Sequence, residues 1–217
     1  MYILLASATE NEIKTTSDWL SSVNGSVNGH EIEVLITGIG SAATSYALTR
    51  QVRWRTPELV IQAGLGGSFN NDYPPESVAF IREDVFADLG AIQNSGFTDI
   101  FDLGLADSNG HPFTNRMLVN DQTTLWVKYG LPFVSGATVN CISSTPEQVG
   151  WIRNKYNPVI ESMEGAALHY TCLMENIPFI QLRAVSNFAG ERDKNNWKMK
   201  EAIAILNEKL RRILGWI

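Results

Sequence analysis

Acidic side chains stand at two places in this sequence where they could take part in a reaction. The segment ESMEGAAL (161–168) places Glu164 between a methionine and three of the smallest residues. The segment ATENEI places Glu10 and Glu12 directly after an apolar run. A carboxylate can accept hydrogen bonds from hydroxyl groups or take a proton from water. These acids therefore indicate either a grip on a hydroxyl-bearing ligand or general acid–base catalysis.

Each acid also has a structural interpretation. A glutamate in the first turn of a helix stabilises the helix dipole, and that alone would explain Glu10, for which we expect no further role. Glu12 and Glu164 have the same alternative. The small residues that follow Glu164 would then only permit close packing of a helix.

Other familiar catalytic arrangements are missing from the sequence. There is no G-x-S-x-G motif and no Walker loop, and His30, His111 and His169 lie far apart without metal-ligand spacing. We therefore predict neither a metal site nor a cofactor. A hydrolytic or transfer reaction here would depend on carboxylates and backbone donors.

Composition narrows the class of partner. The 217 residues are 44% hydrophobic and 18% charged, with a net charge of −6 and no Lys/Arg cluster. This balance disfavours nucleic acid and anionic membranes as partners and favours a small ligand.

No run approaches the roughly eighteen apolar residues of a membrane span. Two cysteines without a CxxC motif predict a reducing, cytoplasmic setting, and the N-terminal apolar run predicts a first strand rather than a signal peptide.

Apolar and amphipathic segments alternate along most of the chain. Continuous apolar runs are typical of strands buried on both faces, and helical spacing follows most of them. The predicted strands are 2–7, 31–37, 59–63, PFVSGATVNCIS, PVIESME and PFIQLRAVSN, and the predicted helices are 10–22, 41–54, TPEQVGWIRNKY, GAALHYTCLMEN and 194–213. Between about 77 and 135 the pattern indicates strands and long loops without a helix.

This alternation predicts an α/β domain with a mostly parallel central sheet. No linker, repeat or low-complexity tract interrupts it, so residues 1–217 are predicted to form one domain. Ser41 is the expected N-cap of the second helix, and Pro146 is expected in the first turn of the third.

Two glycine-rich segments, which we predict to be loops, follow predicted strands. GIGSAA (38–43) fits the dinucleotide-binding pattern G-x-G-x-x-G/A. It follows the second strand rather than the first, and the nearest acid, Glu58, begins the next strand instead of ending it, so the pattern also fits an ordinary turn. In GLGGSF (64–69), Gly66 and its neighbours would let a ligand approach the backbone N–H groups. Together the segments predict a crevice at the carboxyl ends of the strands.

The order of these motifs resembles the nucleoside phosphorylase/nucleosidase superfamily. The matching segments are ASATENEI, TGIGSAATSYAL, QAGLGGSF, VSGATVN, ESMEGAALHY and RAVSNFAGERD, which span almost the whole chain. SMEGAA, the SN pair and the later Arg192, Asp193 and Trp197 look most like the futalosine hydrolase branch. The resemblance implies a three-layer fold with a mixed, mostly parallel sheet flanked by helices. It also implies cleavage of an N-ribosyl bond that releases hypoxanthine.

In such a reaction the sugar must be held, the leaving base supported and water activated. The resemblance implies that Glu164 holds the two cis hydroxyls of a ribose, with Met163 as an apolar wall against the sugar. It implies that Glu12, which matches a glutamate of the superfamily's hydrolases, is the general base. The phosphate-binding PGDP-type loop of the phosphorylases is missing, which favours water over phosphate as the nucleophile. The alternative for Glu12 remains a solvated acid.

Asn187 departs from branches that act on 6-aminopurines, which carry an aspartate at the matching position. An amide cannot protonate N7, but it can donate to an acceptor of a 6-oxopurine such as hypoxanthine. Asn187 is therefore the predicted determinant of the base, and its alternative is a turn residue after a strand.

The remaining assignments depend on position in the matched motifs. Val139 and Asn140 correspond to the stretch that borders the purine, where relatives carry a phenylalanine, so only a backbone role is implied. Arg192 is the candidate cation for an aromatic carboxylate tail, with a surface salt bridge as its alternative. Members of the superfamily commonly pair, which implies a homo-oligomer.

Three other functions remain open from the sequence. A nucleosidase for methylthioadenosine-like substrates would prefer the 6-amino base. A nucleoside-sensing protein would bind without turnover and would not need Glu12. A Rossmann-type oxidoreductase would bind NAD through GIGSAA.

Overall fold

A computed structural model describes residues 1–93 and 96–217. It contains five α-helices and eleven strands in these ranges. The strands are β1 (Tyr2–Ser7), β2 (Ser26–Val27), β3 (His30–Ile36), β4 (Leu59–Ser68), β5 (Val78–Asp84), β6 (Gly90–Gln93), β7 (Gly96–Asp99), β8 (Leu118–Val119), β9 (Phe133–Thr138), β10 (Ile160–Ser162) and β11 (Phe179–Phe188). The helices are α1 (Glu10–Ser22), α2 (Ser41–Trp54), α3 (Pro146–Tyr156), α4 (Gly165–Met174) and α5 (Met199–Leu214).

Nine strands form one mixed sheet. Its order is β10-β9-β5-β11-β4-β1-β3-β2, and β8 pairs with β5. The neighbours β3, β1, β4 and β11 run parallel, while β11 and β5 run antiparallel. Strand β10 also pairs with the end of β4, so the sheet curls back on itself at that edge. The predicted α/β fold with a mixed, mostly parallel central sheet is confirmed.

Helices cover both faces of this sheet. Alternate residues of β1 point to opposite faces, as in any strand. Ile3 and Leu5 belong to a core cluster that α1 and α5 close from one side, with Leu210 among its members. Leu4 and Ala6 belong to a second cluster that α2 and α4 close from the other side. The result is three layers around strands that are buried on both faces.

Most predicted elements are confirmed, including 2–7, 10–22 and 41–54, whose observed bounds are the same. In the middle of the chain the structure has short strands, loops and two 3₁₀ turns, Gln122–Leu125 and Val127–Tyr129. Pro146 begins α3 after the N-cap Thr145. The last helix begins at Met199 rather than at 194, because Lys194–Asn196 form a separate 3₁₀ turn.

Two predictions of local structure were wrong. Ser41 does not cap α2: Gly40 is the N-cap, and its φ of 89° is a conformation that glycine adopts without strain. The glycines after residue 63 do not form a loop, because β4 continues through Gly64, Gly66 and Gly67 to Ser68. They remain in the strand because β11 and β10 pair with them. Glycine is needed at Gly64 and Gly66 because a Cβ there would lie less than 3 Å from atoms of neighbouring elements.

None of the helices in the described part of the chain is both long and apolar enough to cross a membrane.

Candidate active site

A cavity of about 270 Å³ opens where β1, β4 and β11 reach their carboxyl ends. Parallel strands end at the same edge of a sheet, which is where ligands bind in open α/β folds. The cavity is lined by Ala8, Thr9, Glu12, Ile39, Leu65, Gly66, Gly67, Ile142, Glu161, Ser162, Met163, Glu164, Ser186, Asn187, Trp197 and Met199. Five of the predicted site residues therefore lie in one cavity.

Glu12 reaches the cavity from the first turn of α1. Thr9 is the N-cap, and its backbone N–H and hydroxyl both donate to Glu12 Oε2 at 3.0 Å in a capping box. The Ser7 hydroxyl donates to the same oxygen at 3.3 Å. Among the residues that the structure describes, the Leu65 N–H alone donates to Oε1, at 3.0 Å. A carboxylate has about four acceptor positions, so Oε1 is the oxygen that keeps room for a ligand or water.

Helical geometry is interrupted directly after this glutamate. Ile13 has φ −120° and ψ 15°, outside the helical range. The capping box and the kink together hold the Glu12 carboxylate against β4. Glu12 is thus both an acid of the first helical turn, as its structural interpretation held, and part of the cavity wall.

Glu164 stands between β10 and α4. It is the N-cap of α4 with φ −128°, and its carboxylate makes no cap hydrogen bond to its own helix. Instead Oε1 accepts from the Gly40 N–H at the start of α2, at 3.1 Å. Oε2 lies 3.3 Å from Nη1 of Arg183. The carboxylate is oriented by two other elements and retains acceptor positions toward the cavity.

Arg183 is a fully buried cation behind this carboxylate. Its Nε donates to Gln181 Oε1 at 2.9 Å, and its Nη2 donates to Gln62 Oε1 at 2.8 Å. Nη1 also reaches the Leu65 carbonyl at 3.3 Å. A buried charge is tolerated only when it is paired and hydrogen-bonded, and Arg183 meets both conditions. It fixes Glu164 from the core side.

The network continues to Asp84, which is fully buried at the end of β5. Gln181 Nε2 donates to Oδ2 at 3.0 Å, and the Thr138 hydroxyl and the Val85 N–H donate to Oδ1 at 2.9 and 2.8 Å. Burial raises the pKa of the Asp84 carboxyl from 3.8 to about 6, against the lowering effect of these donors. A chain of polar groups therefore links Asp84 through Gln181 to Arg183.

This network also explains the small residues of ESMEGAAL. A Cβ on Gly165 would collide with the Asp84 carboxylate and with the Gln181 carboxamide. The Ala166 N–H donates to the Thr138 hydroxyl at 2.7 Å. The start of α4 packs directly on buried polar groups, and this close approach holds Glu164 at the cavity.

The other end of the cavity is shaped by a bulge in β11. Val185 pairs with Gly66 and Asn187 pairs with Gly67, so Ser186 has no partner in β4. Bulges re-aim side chains and are common beside active sites. Asn187 Oδ1 accepts from the Ser186 hydroxyl at 2.7 Å, and its Nδ2 donates to the Phe188 carbonyl at 2.8 Å. One Nδ2 hydrogen and one Oδ1 lone pair remain for a ligand.

Apolar side chains complete the wall. Met163 lines the cavity beside Glu164, together with Ile39, Trp197 and Met199. Ile39 comes from the glycine segment before α2 and is 62% exposed. Trp197 precedes α5 and faces the cavity rather than the core of that helix.

Three predicted residues lie outside the lining. Val139 is fully buried in a core cluster, and its N–H donates to the Ser162 carbonyl at 2.9 Å. Asn140 is exposed: its N–H donates to Asp88 at 2.6 Å, and its Oδ1 accepts from the Ser41 N–H at 3.2 Å. Both residues border the site through the backbone and the start of α2 rather than through a side chain in the cavity.

Arg192 is exposed, and its guanidinium lies 5.5 Å above the ring of Trp197. Trp197 lines the cavity, so the Trp197 side chain separates Arg192 from the cavity. No salt bridge of Arg192 is present within 1–93 and 96–217, where the alternative interpretation expected one.

Sequence reasoning missed Arg183 and Glu161. Arg183 is the first residue of the RAVSN motif, but no role was assigned to it. Both are charged residues inside segments that were predicted to be buried strands, and an ionised group in a buried strand is costly unless it is paired. That contradiction between charge and burial was the available signal.

The described residues contain no group of three or more His, Cys, Asp or Glu side chains that could hold a metal ion. The site instead offers three carboxylates, those of Glu12, Glu161 and Glu164, with an amide and backbone donors around a small cavity. Such a site can hold hydroxyl groups and move a proton from water.

Comparison with known proteins agrees with this geometry. A sequence model of the phosphorylase superfamily matches residues 21–215. The chain is 31% identical over 183 residues to futalosine hydrolase of Thermus thermophilus, which covers 83% of this chain and 80% of that protein. It is 25% identical over 205 residues to 5′-methylthioadenosine/S-adenosylhomocysteine nucleosidase of Bacillus thuringiensis, over 88% of this chain and 87% of that protein.

Among solved structures, the same fold occurs in a 5′-methylthioadenosine/S-adenosylhomocysteine nucleosidase of Neisseria meningitidis, crystallised with methylthio-immucillin-A. The TM-score is 0.83 at 19% identity, over 100% of this chain and 99% of that chain. The match spans the sheet, its helices and the strand ends that form the cavity. The chain belongs to the phosphorylase superfamily.

Proposed function

We propose that this protein is a futalosine hydrolase, which cleaves the N-ribosyl bond of futalosine to give hypoxanthine and dehypoxanthinyl futalosine. The observation that carries the proposal is that Glu12, Glu164 and Asn187 line one cavity. The 31% identity to a futalosine hydrolase over most of both chains supports the choice of substrate.

Glu164 holds the sugar in this proposal. Its carboxylate is fixed by Gly40 and Arg183 and accepts hydrogen bonds from the two cis hydroxyls of the ribose. Charge-assisted hydrogen bonds of this kind are stronger than neutral ones. Met163 lies against the ring. The sugar is thereby oriented before the bond breaks, which removes an entropic part of the barrier.

Glu12 acts on water. The bond between the anomeric carbon and the base nitrogen breaks through an oxocarbenium-like state, and the electron pair leaves with the base. A water oxygen then bonds to the anomeric carbon, and its proton passes to Glu12 Oε1, the carboxylate oxygen with a free acceptor position. The base gains a proton from solvent as it leaves, so charge and atoms balance.

Asn187 supports the leaving base. The free hydrogen on its Nδ2 is directed to an acceptor of the 6-oxopurine, O6 or N7, and this hydrogen bond strengthens as negative charge develops on the base. The bonds to Ser186 and Phe188 hold the amide in one orientation.

The test is a panel of nucleosides assayed for free base with and without phosphate. Hypoxanthine should be released from futalosine in phosphate-free buffer, at the same rate as with phosphate. A requirement for phosphate would overturn the hydrolase assignment. Release from the 6-amino compounds alone would overturn the choice of substrate.

A nucleosidase for methylthioadenosine is the second candidate, and the 25% identity to such an enzyme over 88% of the chain supports it. Asn187 argues against it, since an amide cannot protonate N7 of a 6-aminopurine. Faster turnover of methylthioadenosine than of futalosine would favour this candidate. A nucleoside sensor would bind both compounds and hydrolyse neither.

The proposal includes menaquinone biosynthesis as the pathway, a cytoplasmic location and a homo-oligomer. Two free cysteines, Cys141 and Cys172, accord with a reducing compartment. Ile39 at the cavity and Tyr46 on α2 are exposed apolar residues that a second copy would cover. Light scattering on the purified protein tests the oligomer.

A further inference from the structure

A second polar residue stands opposite Asn187 at the same end of the cavity. Gly67 of β4 pairs with Asn187 on one side and with Glu161 on the other. Strands lie about 4.8 Å apart, so the two flanking backbones are separated by roughly 10 Å. Both flanking residues line the cavity.

The two side chains also point to one face of the sheet. The Cβ position that Gly67 lacks is 3.4 Å from Asn187 Nδ2, so this is the face toward which Asn187 points. Directly paired residues of neighbouring strands project to the same face. Glu161 therefore projects beside Asn187, and Gly67 adds no side chain between them.

Glu161 is an unusual carboxylate for this position. It is buried, and it accepts hydrogen bonds from the N–H of Ser143 at 3.3 Å and from the Ser143 hydroxyl. It has no ion-pair partner among the side chains that the structure describes. The charge of Arg192, which is too far away to form an ion pair, has only a small lowering effect on its pKa. Burial raises the pKa of the Glu161 carboxyl. A carboxylate has about four acceptor positions, so a further donor from a ligand would reduce the cost of its burial.

The two classes of purine base differ in what they present to such an acceptor. A 6-oxopurine carries a hydrogen on N1, whereas a 6-aminopurine carries a lone pair there. A buried acceptor that faces a lone pair loses a hydrogen bond and adds repulsion. Sites that hydrogen-bond one group of a substrate reject the analogue that lacks it far more strongly than apolar pockets do.

We propose that Glu161 is a specificity-determining residue that accepts the N1–H of the 6-oxopurine, while Asn187 donates to O6 or N7. The inference rests on the proposed function for its substrate. It assigns the choice of base to two residues on either side of Gly67 rather than to Asn187 alone. The hydroxyl of Ser143 positions the Glu161 carboxylate.

The competing explanation is that Glu161 only ties the loop at Ser143 to the sheet. A structural tie of this kind would affect all substrates alike. The measurement is therefore the ratio of kcat/KM for futalosine to that for its 6-amino counterpart, in the wild type and in Glu161→Gln. Glutamine keeps one acceptor and adds an N–H₂ that can donate to N1 of the 6-amino base. We expect the ratio to fall at least about tenfold, equivalent to about 1.4 kcal/mol.

Glu147→Gln is the matched control, because Glu147 is an exposed acid on α3 away from the cavity. Its ratio should equal that of the wild type. An unchanged ratio in Glu161→Gln, with equal losses on both substrates, would overturn the inference and leave the structural tie.

Binding of free bases to the wild-type protein separates this inference from the proposed reaction. Calorimetry should give at least about tenfold tighter binding for hypoxanthine than for 1-methylhypoxanthine, which lacks the N1 hydrogen. Equal affinities would overturn the inference even if futalosine is hydrolysed. If futalosine is not hydrolysed but this preference is found, the proposed function fails and the base-recognition role stands. The same experiment remains available if Glu161→Gln does not fold.

Discussion

Glu164 Oε2 lies 3.3 Å from Nη1 of Arg183, and both side chains are almost completely buried. The pair connects the residue proposed to hold the ribose to a polar network that extends through Gln181 to Asp84. Buried ion pairs are costly to break from one side, since the remaining charge is left without a partner. The sugar-binding carboxylate is therefore also a structural element of the core.

We expect Glu164→Ala to lose both activity and stability. Arg183 would lose its charged partner, and removal of one partner of a buried pair costs roughly 3–5 kcal/mol. Glu164→Gln keeps an oxygen for the Gly40 N–H and should destabilise less, while kcat/KM still falls. Denaturant unfolding of both variants checks this order, and equal stability of Glu164→Ala and the wild type would contradict it.

Glu12→Gln should separate catalysis from folding. Glutamine can replace glutamate in a capping box with Thr9, so the melting temperature should change little. The amide cannot take a proton from water, and kcat should fall roughly 10²–10⁴-fold. Base release and thermal unfolding are the two measurements. Glu10→Gln, on the exposed side of the same helical turn, is the control and should retain full activity. Full activity of Glu12→Gln would remove Glu12 as the base.

Gly64→Ala should damage the site from inside the sheet. The added Cβ would lie 2.5 Å from Arg183 Nη1 and 3.2 Å from Glu12 Oε1. Both groups would have to move, at a cost of about 1–3 kcal/mol for overpacking, and kcat/KM should fall with stability. Gly150→Ala on α3 is the control. Apart from its own helix backbone and chain neighbours, no described atom lies within 4 Å of its Cβ position, and alanine should stabilise the helix by about 0.5–1 kcal/mol. If Gly64→Ala and Gly150→Ala have the same stability and the same kcat/KM, the site does not depend on the close approach of Arg183 and Glu12 to Gly64.

Asn187→Asp should relax the preference for the base. An aspartate still accepts from the Ser186 hydroxyl, and next to the Phe188 carbonyl it gains from holding a proton, which it can pass to N7 of a 6-aminopurine. We expect the 6-oxo to 6-amino ratio of kcat/KM to fall at least about tenfold. Asn195→Asp, on the exposed 3₁₀ turn, should not change the ratio. The same ratio in both variants would exclude Asn187 from base selection.

Asp84→Asn should change the pH dependence of stability. The folded-state pKa of Asp84 is about 6, above its ordinary 3.8, because burial disfavours the charged form. Between these pH values the folded protein binds more protons than the unfolded chain, so this group lowers the free energy of unfolding as pH rises. The free energy of unfolding of the wild type, relative to that of Asp84→Asn, should fall by about 2 kcal/mol from pH 4 to pH 7. Denaturant titrations at several pH values measure it, and parallel profiles would contradict the assignment.

The sequence located the elements well because each has a local cause. The apolar run 2–7 can only be buried, and the Thr9–Glu12 capping box begins a helix that ends at the predicted Ser22. Four of the predicted side chains, those of Glu12, Met163, Glu164 and Asn187, line the cavity because each lies at or just beyond the carboxyl end of a strand.

The predictions that depended on distant neighbours were less successful. The glycines after residue 63 were predicted to form a loop, but β11 and β10 pair with them and extend the strand to Ser68. The backbone role predicted for Val139 did not specify its side chain, which lies in the core with Phe69 and Ile152. Neither outcome is encoded in the residues next to these positions.

The sequence by itself determined the α/β alternation, the superfamily and two of the three glutamates at its candidate site, Glu12 and Glu164. Only the tertiary structure decided that Arg183 orients Glu164 and that Glu161 faces the cavity beside Asn187. The physical reason is that these relations depend on strand register and on the bulge at Ser186, which are set by pairing between segments far apart in the chain. Local composition determines whether a segment forms a strand, whereas the side chains that meet across strands are determined by how the whole sheet assembles.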